Sequence, residues 1–457
     1  MTNPGVTIPL GKLAAFGTPA VGAGYMYLFL SLYVMKFSTD VLLIAPVVMG
    51  LIFSVSRIWD AVSDPFVGYL SDRTVTRLGR RRIWLLASVI PISVTFYMVF
   101  APPLGLTGRQ LDWWMAISII GFYSSMTLFF VPHMALGAEM TDDYHERNKL
   151  FGARHFAYAL GSILSLASMQ LLIVAEFGKE TDVRALAEEL ALLAVAIMSV
   201  FLIFAVVRLK ERPEFQGRMT SAPFSAFKDV WQNNHARLFI VVQFIENVGS
   251  AAIAALTLYV MQYVVGAPHL AVLVILTYFI PSSLSVPLWI PLAKKFGKIK
   301  MWVISMIGTG VSFGAFCLLP FIESIDIRIA ISFVFAFFAG LAAGCGGMIG
   351  PSVQSDIVDY DELVSGERKE GSYFAAWNFV QKSAVGVMLL LTGFVLQFSG
   401  FVPNAAQTLE VKIAIVGLYG FFPLVCYFVG AFMFAKFRLD EAACIEIRRK
   451  LEIARTS

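Results

Sequence analysis

The sequence predicts an all-α membrane protein, with twelve transmembrane helices in two pseudo-symmetric six-helix bundles. Three observations predict it. First, the 457 residues are 58% hydrophobic and only 14% charged, against about 25% charged in a soluble domain. Forty phenylalanines and a mean hydropathy of +0.75 point the same way, and a soluble enzyme is excluded on these grounds. Second, the chain holds about twelve apolar stretches near the ~20 residues that a helix needs to cross a bilayer. Third, elements of the first half recur in the second at a nearly constant spacing.

The predicted apolar cores are 13–36, 43–70, 83–102, 113–137, 152–175, 187–208, 237–262, 269–292, 300–320, 327–350, 373–400 and 411–436. The segment MTNPGVTIPLGKL ahead of the first lacks a small-residue cleavage site, so no removable signal peptide is expected. The first span carries Gly17, Gly22 and Gly24, small residues that let helices approach closely. Its Pro19 is expected to kink it. The second span carries Arg57, Asp60 and Asp64, and the third ends in Pro102–Pro103. The fourth carries Phe129, Phe130, Pro132 and His133 and ends at Glu139. His133 reads as a hydrogen-bonded packing residue rather than a proton carrier. Arg154 opens the fifth. Cys317, Cys345, Cys426 and Cys444 have neither disulfide nor metal spacing and read as packing residues.

Basic residues crowd alternate loops, at 72–82, 208–237, 294–300 and in the tail at 448–450. Each run abuts a span, so they read as topology determinants rather than nucleic-acid patches. The positive-inside rule then places both termini in the cytoplasm. The absence of an N-x-[ST] sequon favours a bacterial inner membrane. The chain divides into a first bundle at 1–209, a cytoplasmic linker at 210–236, a second bundle at 237–437 and a cytoplasmic tail at 438–457. In the linker, Phe224, Phe227 and Trp231 share a helical face, and a short amphipathic helix on the membrane surface is expected.

Residues 57–84, RIWDAVSDPFVGYLSDRTVTRLGRRRIW, break the apolar pattern. On a helix, Arg57, Asp60, Asp64 and Gly68 share one face, spaced by three and four. A charge at mid-membrane costs at least ~2.5–3.5 kcal/mol, so these should face a cavity or one another. Two carboxylates a turn apart repel, and a bound proton or small cation relieves the repulsion. A static Arg57–Asp salt bridge is the plainer reading, but one arginine leaves a second carboxylate uncompensated.

In the second half, Gln243, Glu246, Asn247, Ser250 and Thr257 form a polar stripe on span seven, with the donors and acceptors a sugar needs. An interfacial Glu246 near the helix end is the plainer alternative. Span eleven supplies Trp377, Asn378, Gln381 and Lys382. Lys382 lies too deep to snorkel easily, and Asp60 or Asp64 is its expected partner. The repeat is specific: G-R-R-R-I-W at 79–84 recurs as G-K-I-K-M-W 218 positions on, and Pro132 ahead of Asp143–Tyr144 recurs as Pro351 ahead of Asp359–Tyr360, 219 positions on. A duplicated six-helix unit in parallel halves is the major facilitator arrangement.

The pattern D-A-x-x-D-P-x-x-G-x-x-x-D-R-T-x-x-R-x-G-R-R-R at 60–82 resembles the signature of the glycoside-pentoside-hexuronide:cation symporters, the melibiose permease family. V-P-x-x-A-L-G-A-E-M-x-x-D-Y-x-E-R at 131–147 is similar to that family's fourth-helix exit. D-I-V-D-Y-D-E at 356–362, G-E-R-K-E-G at 366–371 and Lys382 are similar to its tenth-to-eleventh helix segment. The resemblance covers nearly the whole chain. It implies that Asp60 and Asp64 bind a coupling Na⁺, H⁺ or Li⁺, that Lys382 lies between the sugar and cation sites, and that Arg154 is near the sugar. Two departures accompany it. Pro19 stands where melibiose permease has a sugar-gripping aspartate, and Phe130, beside Phe129, stands where it has another. Melibiose itself is therefore not the expected substrate, and one carboxylate fewer weakens the case for Na⁺ over H⁺.

The expected function is cation-coupled symport of a sugar, glycoside or sugar acid by alternating access. The coupling ion is Na⁺ or H⁺ at Asp60 and Asp64, a metal site only with Na⁺, and no cofactor is expected. Substrate contacts are expected from Lys382, Arg154, Asn378, Trp377, Gln243, Glu246 and Asn247. Lys382 and Arg154 would suit an anionic substrate. Gating is expected from Arg57, Asp72 and Arg73, the last two clamping the cytoplasmic side through Glu367 or Glu370. The partners are a small-molecule substrate and the bilayer, with no nucleic acid, and a monomer is expected. A lysophospholipid symporter is the alternative, since lysolipid carriers resemble this family and Phe129/Phe130 suit an acyl tail. A non-transporting sensor is a remote third. No nucleotide loop, catalytic triad or metal cluster appears in the sequence, so no enzyme is expected.

Overall fold

The computed structural model describes residues 8–141, 144–178, 182–211, 230–366, 370–439 and 441–456. Among them all regular structure is helical, with no strand. The first half runs α1 (Leu10–Gly17), α2 (Pro19–Lys36), α3 (Pro46–Arg73), α4 (Arg82–Phe100), α5 (Arg109–Glu139), α6 (Tyr144–Gly178) and α7 (Val183–Arg208). The second runs α8 (Asn234–Tyr259), α9 (Ala271–Leu284), α10 (Val286–Phe296), α11 (Lys298–Gly314), α12 (Ile325–Ser365), α13 (Glu370–Phe398), α14 (Leu409–Val416), α15 (Phe422–Phe434) and α16 (Glu441–Thr456). Turns of π-helix follow α2 at Phe37–Val41 and α8 at Val260–Val265.

Eleven stretches among the described residues are long and apolar enough to cross a membrane, and a bent pair, Pro268–Leu284 with Val286–Phe296, makes a twelfth. The bend of 48° falls at Ser285, between Pro281 and Pro287, each of which removes a backbone donor. The chain is an all-α, multi-pass membrane protein. One predicted boundary moves: the tenth span was expected to stop at 350, ahead of Pro351, yet α12 continues to Ser365 over 41 residues. At 1.5 Å per residue that is about 60 Å, twice a bilayer core. The proline interrupts one bond, and the helix ends only where Gly366 takes a left-handed φ of 74°.

The chain forms two compact units, Met1–Pro223 and Phe224–Ser457. In the first, α2 and α6 cross at glycines: a Cβ on Gly24 would lie 2.2 Å from the Tyr158 carbonyl oxygen, and one on Gly161 1.9 Å from that of Val21. Only glycine permits backbones this close. The first unit's apolar interior includes Phe29, Phe96, Phe100 and Phe122, with the Phe29 and Phe100 ring centres 4.9 Å apart. The second is centred on Trp302, which meets Phe434 at 4.6 Å and Phe239 at 5.9 Å. Pro19 opens α2 two residues after α1 ends, but Thr18 between them keeps helical angles, so the first span runs on as one stretch, Leu10–Val41. Phe224 and Phe227 of the expected linker helix lie outside the described residues, whereas Trp231 is described and exposed.

Candidate functional site

Helix α3 brings Asp60 and Asp64 to the first unit's interior, and α5 supplies the group on which they converge. Thr127 Oγ1 lies 3.0 Å from Asp60 Oδ1 and 3.1 Å from Asp64 Oδ1. It also lies 3.2 Å from the Tyr123 carbonyl oxygen and 3.3 Å from Ser63 Oγ. Asp60 and Thr127 are buried, and Asp64 is half-buried. A threonine hydroxyl has one hydrogen to donate. It cannot serve both carboxylates and the carbonyl at once, so at least one of these oxygen–oxygen contacts lacks that hydrogen. Asp60, Asp64, Thr127 and Ser63 present oxygen donors alone, the chemistry that a proton or a hard cation takes.

Two arginines flank this cluster, and aromatic rings connect them. The Arg57 guanidinium stacks 4.3 Å over the Tyr123 ring. Its Nη1 stands 3.9 Å from Asp60 Oδ2, the outer limit of an ion pair. Arg154 stacks 4.9 Å over Phe130. Tyr27 bridges the two stacks, 6.3 Å from Tyr123 and 6.4 Å from Phe130. Phe130 therefore does not simply delete a carboxylate: its ring face takes the guanidinium, a cation–π contact that leaves the arginine's donors to the side. His133 is fully buried, lies 2.9 Å from the Phe16 carbonyl oxygen through Nε2 and stacks between Phe16 and Phe129. It is a packing residue.

The basic loop is more than a topology marker. The Glu211 carboxylate accepts the backbone N–H groups of Arg80, Arg81 and Arg82 at 2.6, 2.8 and 2.7 Å. It so satisfies the open N-terminus of α4 from a distant part of the chain. Arg80 Nη2 meets Glu139 at 2.6 Å, and Arg81 bridges Glu139 and Asp72. Asp72, expected to clamp the other half, is engaged by Arg81 within its own unit. Arg73 is exposed and stacks 4.1 Å over Tyr69. Glu367 lies outside the described residues, and Glu370 opens α13 with its side chain outside them too. The second unit repeats the device: Lys298, next after Gly297, pairs with Asp356.

In the second unit, Gln243, Glu246, Asn247 and Ser250 of α8 line a cavity of about 300 Å³, walled by Tyr278, Trp302, Ser305, Thr309, Gly346, Gly347 and Tyr427. Asn247 donates to Gln243 Oε1 at 3.4 Å, and Gln243 donates to Glu246 Oε2 at 3.4 Å. Glu246 therefore belongs to a polar cavity inside this unit rather than to an interface. Trp377 is 6% exposed and packs 5.6 Å from Phe239 in the apolar core, because α13 turns that side inward. Asn378, next in sequence, is exposed, and Lys382, one turn on, is half-buried. Lys382 and the aspartates of α3 belong to different units.

Residues 15–441 match the family described as MFS/sugar transport protein. This chain belongs to the melibiose-permease-like symporters of the major facilitator superfamily. Among its relatives, the inner membrane symporter YicJ of Escherichia coli is 28% identical, over 88% of this chain and 85% of the relative. The isoprimeverose transporter of Lactiplantibacillus pentosus is 26% identical, over 95% and 90%. The sodium-dependent lysophosphatidylcholine symporter 1-B of Danio rerio is 25% identical, over 90% and 83%. A solved D-xylose-proton symporter superposes with a TM-score of 0.59 at 14% identity, over 94% and 95% of the two chains, a likeness of fold. The chain is a transporter, not an enzyme.

Sequence reasoning about this symporter missed two features. Thr127 carries no motif; it was findable only as the α5 residue one turn before Phe130. The other is a buried ion cluster. Lys36 Nζ lies 2.6 Å from both Glu176 oxygens and 3.4 Å from Asp40 Oδ2, with Lys36 only 2% exposed. Lys36 ends α2 and Glu176 lies near the end of α6. In sequence each reads as a charge closing a span, and nothing shows that they meet.

Proposed function

We propose that this symporter couples a Na⁺ or H⁺ gradient to import of a sugar, glycoside or sugar acid by alternating access, with the ion held at Asp60 and Asp64. The observation that carries the reading is the convergence of both carboxylates on the one hydroxyl of Thr127. A bound cation removes the repulsion between them, so the substrate-binding conformation gains stability when the ion is present. Linkage then requires substrate to tighten ion binding by the same factor. An inward membrane potential adds ~2.3 kcal/mol per net charge per 100 mV. The relatives named for isoprimeverose and for glycoside/cation symport support a carbohydrate. Arg154 on Phe130, and Lys382 with Asn378 on α13, are the residues proposed to meet it. The chain is proposed to act as a monomer in a bacterial inner membrane, both termini cytoplasmic.

A lysophospholipid is the second reading. The relatives named as lysophosphatidylcholine symporters and the Phe130 ring in place of a sugar-gripping carboxylate favour it. The test is uptake into proteoliposomes of a carbohydrate panel and of lysolipid, under separate Na⁺ and pH gradients, with wild type and Asp64→Asn. Gradient-driven carbohydrate uptake lost in the variant supports the first reading and names the ion. Uptake of lysolipid alone would replace it with the second.

A further inference from the structure

We propose that the cavity inside the second unit is a binding site for a single neutral, hydroxyl-rich ring, with Glu246 accepting its hydroxyls and the Trp302 indole N–H donating to it. The inference rests on the carbohydrate reading above and deepens it: the substrate, or the ring of it that seats here, is an uncharged sugar rather than a uronate.

Three observations build the site. The first is a donor beside the carboxylate. Trp302 is 1% exposed and lines the cavity, and its indole N–H stands near the Glu246 carboxylate but outside hydrogen-bond geometry with it, so one ligand can reach both groups. The second is a cleared floor. A Cβ on Gly347 would meet nothing within 4 Å, while one on Gly346 would stand 3.1 Å from Trp302 Nε1. The glycine pair of α12 thus keeps open the space in front of the indole. The third is the lining. Glu246 brings a carboxylate able to accept two neighbouring hydroxyls, positioned by the Asn247–Gln243–Glu246 chain. Ser250, Ser305 and Thr309 add neutral donors and acceptors, and Tyr278 and Tyr427 add ring faces.

Size and charge choose among ligands. About 300 Å³ is the small end of ligand cavities, which run about 300–1,000 Å³, so one ring fits and an acyl chain with its headgroup does not. Among the described residues no lysine or arginine lines the cavity, so a uronate would place its carboxylate against Glu246 without a counter-charge.

The experiment uses the full chain in proteoliposomes with neutral monosaccharides, their methyl glycosides and the matching uronates, in wild type, Glu246→Gln, Trp302→Phe and Gly347→Leu. Thermal unfolding of each variant reports that it is folded, and the two near-isosteric changes keep the test open if Gly347→Leu is unstable. Neutral rings are expected to outcompete uronates by tenfold or more. Glu246→Gln and Trp302→Phe should raise KM about tenfold, the loss of one hydrogen bond involving a charged or buried group. Gly347→Leu should abolish uptake. Carbohydrate uptake with KM unchanged in these variants, or won by the uronates, would overturn this inference and leave the symport reading intact. Failure of the wild type to take up any carbohydrate would overturn both.

Discussion

Asp60 and Thr127 meet across α3 and α5 at 3.0 Å, and the same hydroxyl reaches Asp64 at 3.1 Å. The pairing turns two carboxylates on one helical face into a three-sided oxygen site, with its third side on another helix. It also gives α5 a part in the proposed ion site without an acid there. The fourth-helix carboxylate of melibiose permease is replaced by Phe130, but Thr127, almost one turn earlier, still places an oxygen between the aspartates. Arg57 reaches Asp60 Oδ2 only at 3.9 Å, the outer limit of an ion pair.

Thr127→Val removes that oxygen and keeps the shape. The expected outcome is a rise of about tenfold or more in the cation concentration, or the proton activity, that gives half-maximal uptake, in line with the loss of a hydrogen bond to a charged group. Thr127→Ser keeps the hydroxyl and should stay near wild type. Measuring uptake against ion concentration at fixed substrate separates the two. Equal ion dependence in wild type and the valine variant would remove Thr127 from the site.

How much of this was legible beforehand follows from what periodicity encodes. The spans, the duplicated halves and the shared face of Asp60 and Asp64 are all local patterns, readable at spacings of three, four or twenty. Thr127 and the Lys36–Glu176 contact depend on which helices adjoin, and separations of 67 and 140 positions leave no local trace. The burial of Trp377 was illegible for a different reason. It sits beside Asn378 in a polar run, but neighbours on a helix point about 100° apart, and its side faces the core. The arginine loop was read as charge alone because the acids that meet it lie on α3, on α5 and after α7.

Gly79 gives a second prediction. Its φ is 116°, and a Cβ there would stand 2.4 Å from Glu211 Oε1, the oxygen that Arg81 and Arg82 hold through their backbone N–H groups. Gly79→Ala should lose at least about 1–3 kcal/mol from backbone strain alone, and more if Glu211 is displaced from the α4 terminus. Gly105 meets nothing within 4 Å, and Gly105→Ala should stay within about 0.5 kcal/mol of wild type. Thermal unfolding of the purified protein in detergent compares them. Equal stability of the two variants would show that Glu211 does not need the cleared space.

The ion cluster at the end of the first span gives the third. Lys36 stands between Glu176 at 2.6 Å and Asp40 at 3.4 Å, so one ammonium serves two carboxylates. Breaking a buried pair from one side costs about 3–5 kcal/mol, because the remaining charge stays desolvated. Lys36→Met takes the ammonium from two acids and should cost the most. Glu176→Gln keeps Lys36 beside Asp40 and should cost less. Lys36→Met with Glu176→Gln takes it from one acid instead of two, so the double variant should recover stability relative to Lys36→Met alone. That recovery is the non-additivity a shared ion cluster produces. Thermal unfolding of the four proteins closes the cycle. Simple addition of the two single losses would mean that Lys36 and Glu176 act independently, and the π-helical turn at Phe37–Val41 would then need another anchor.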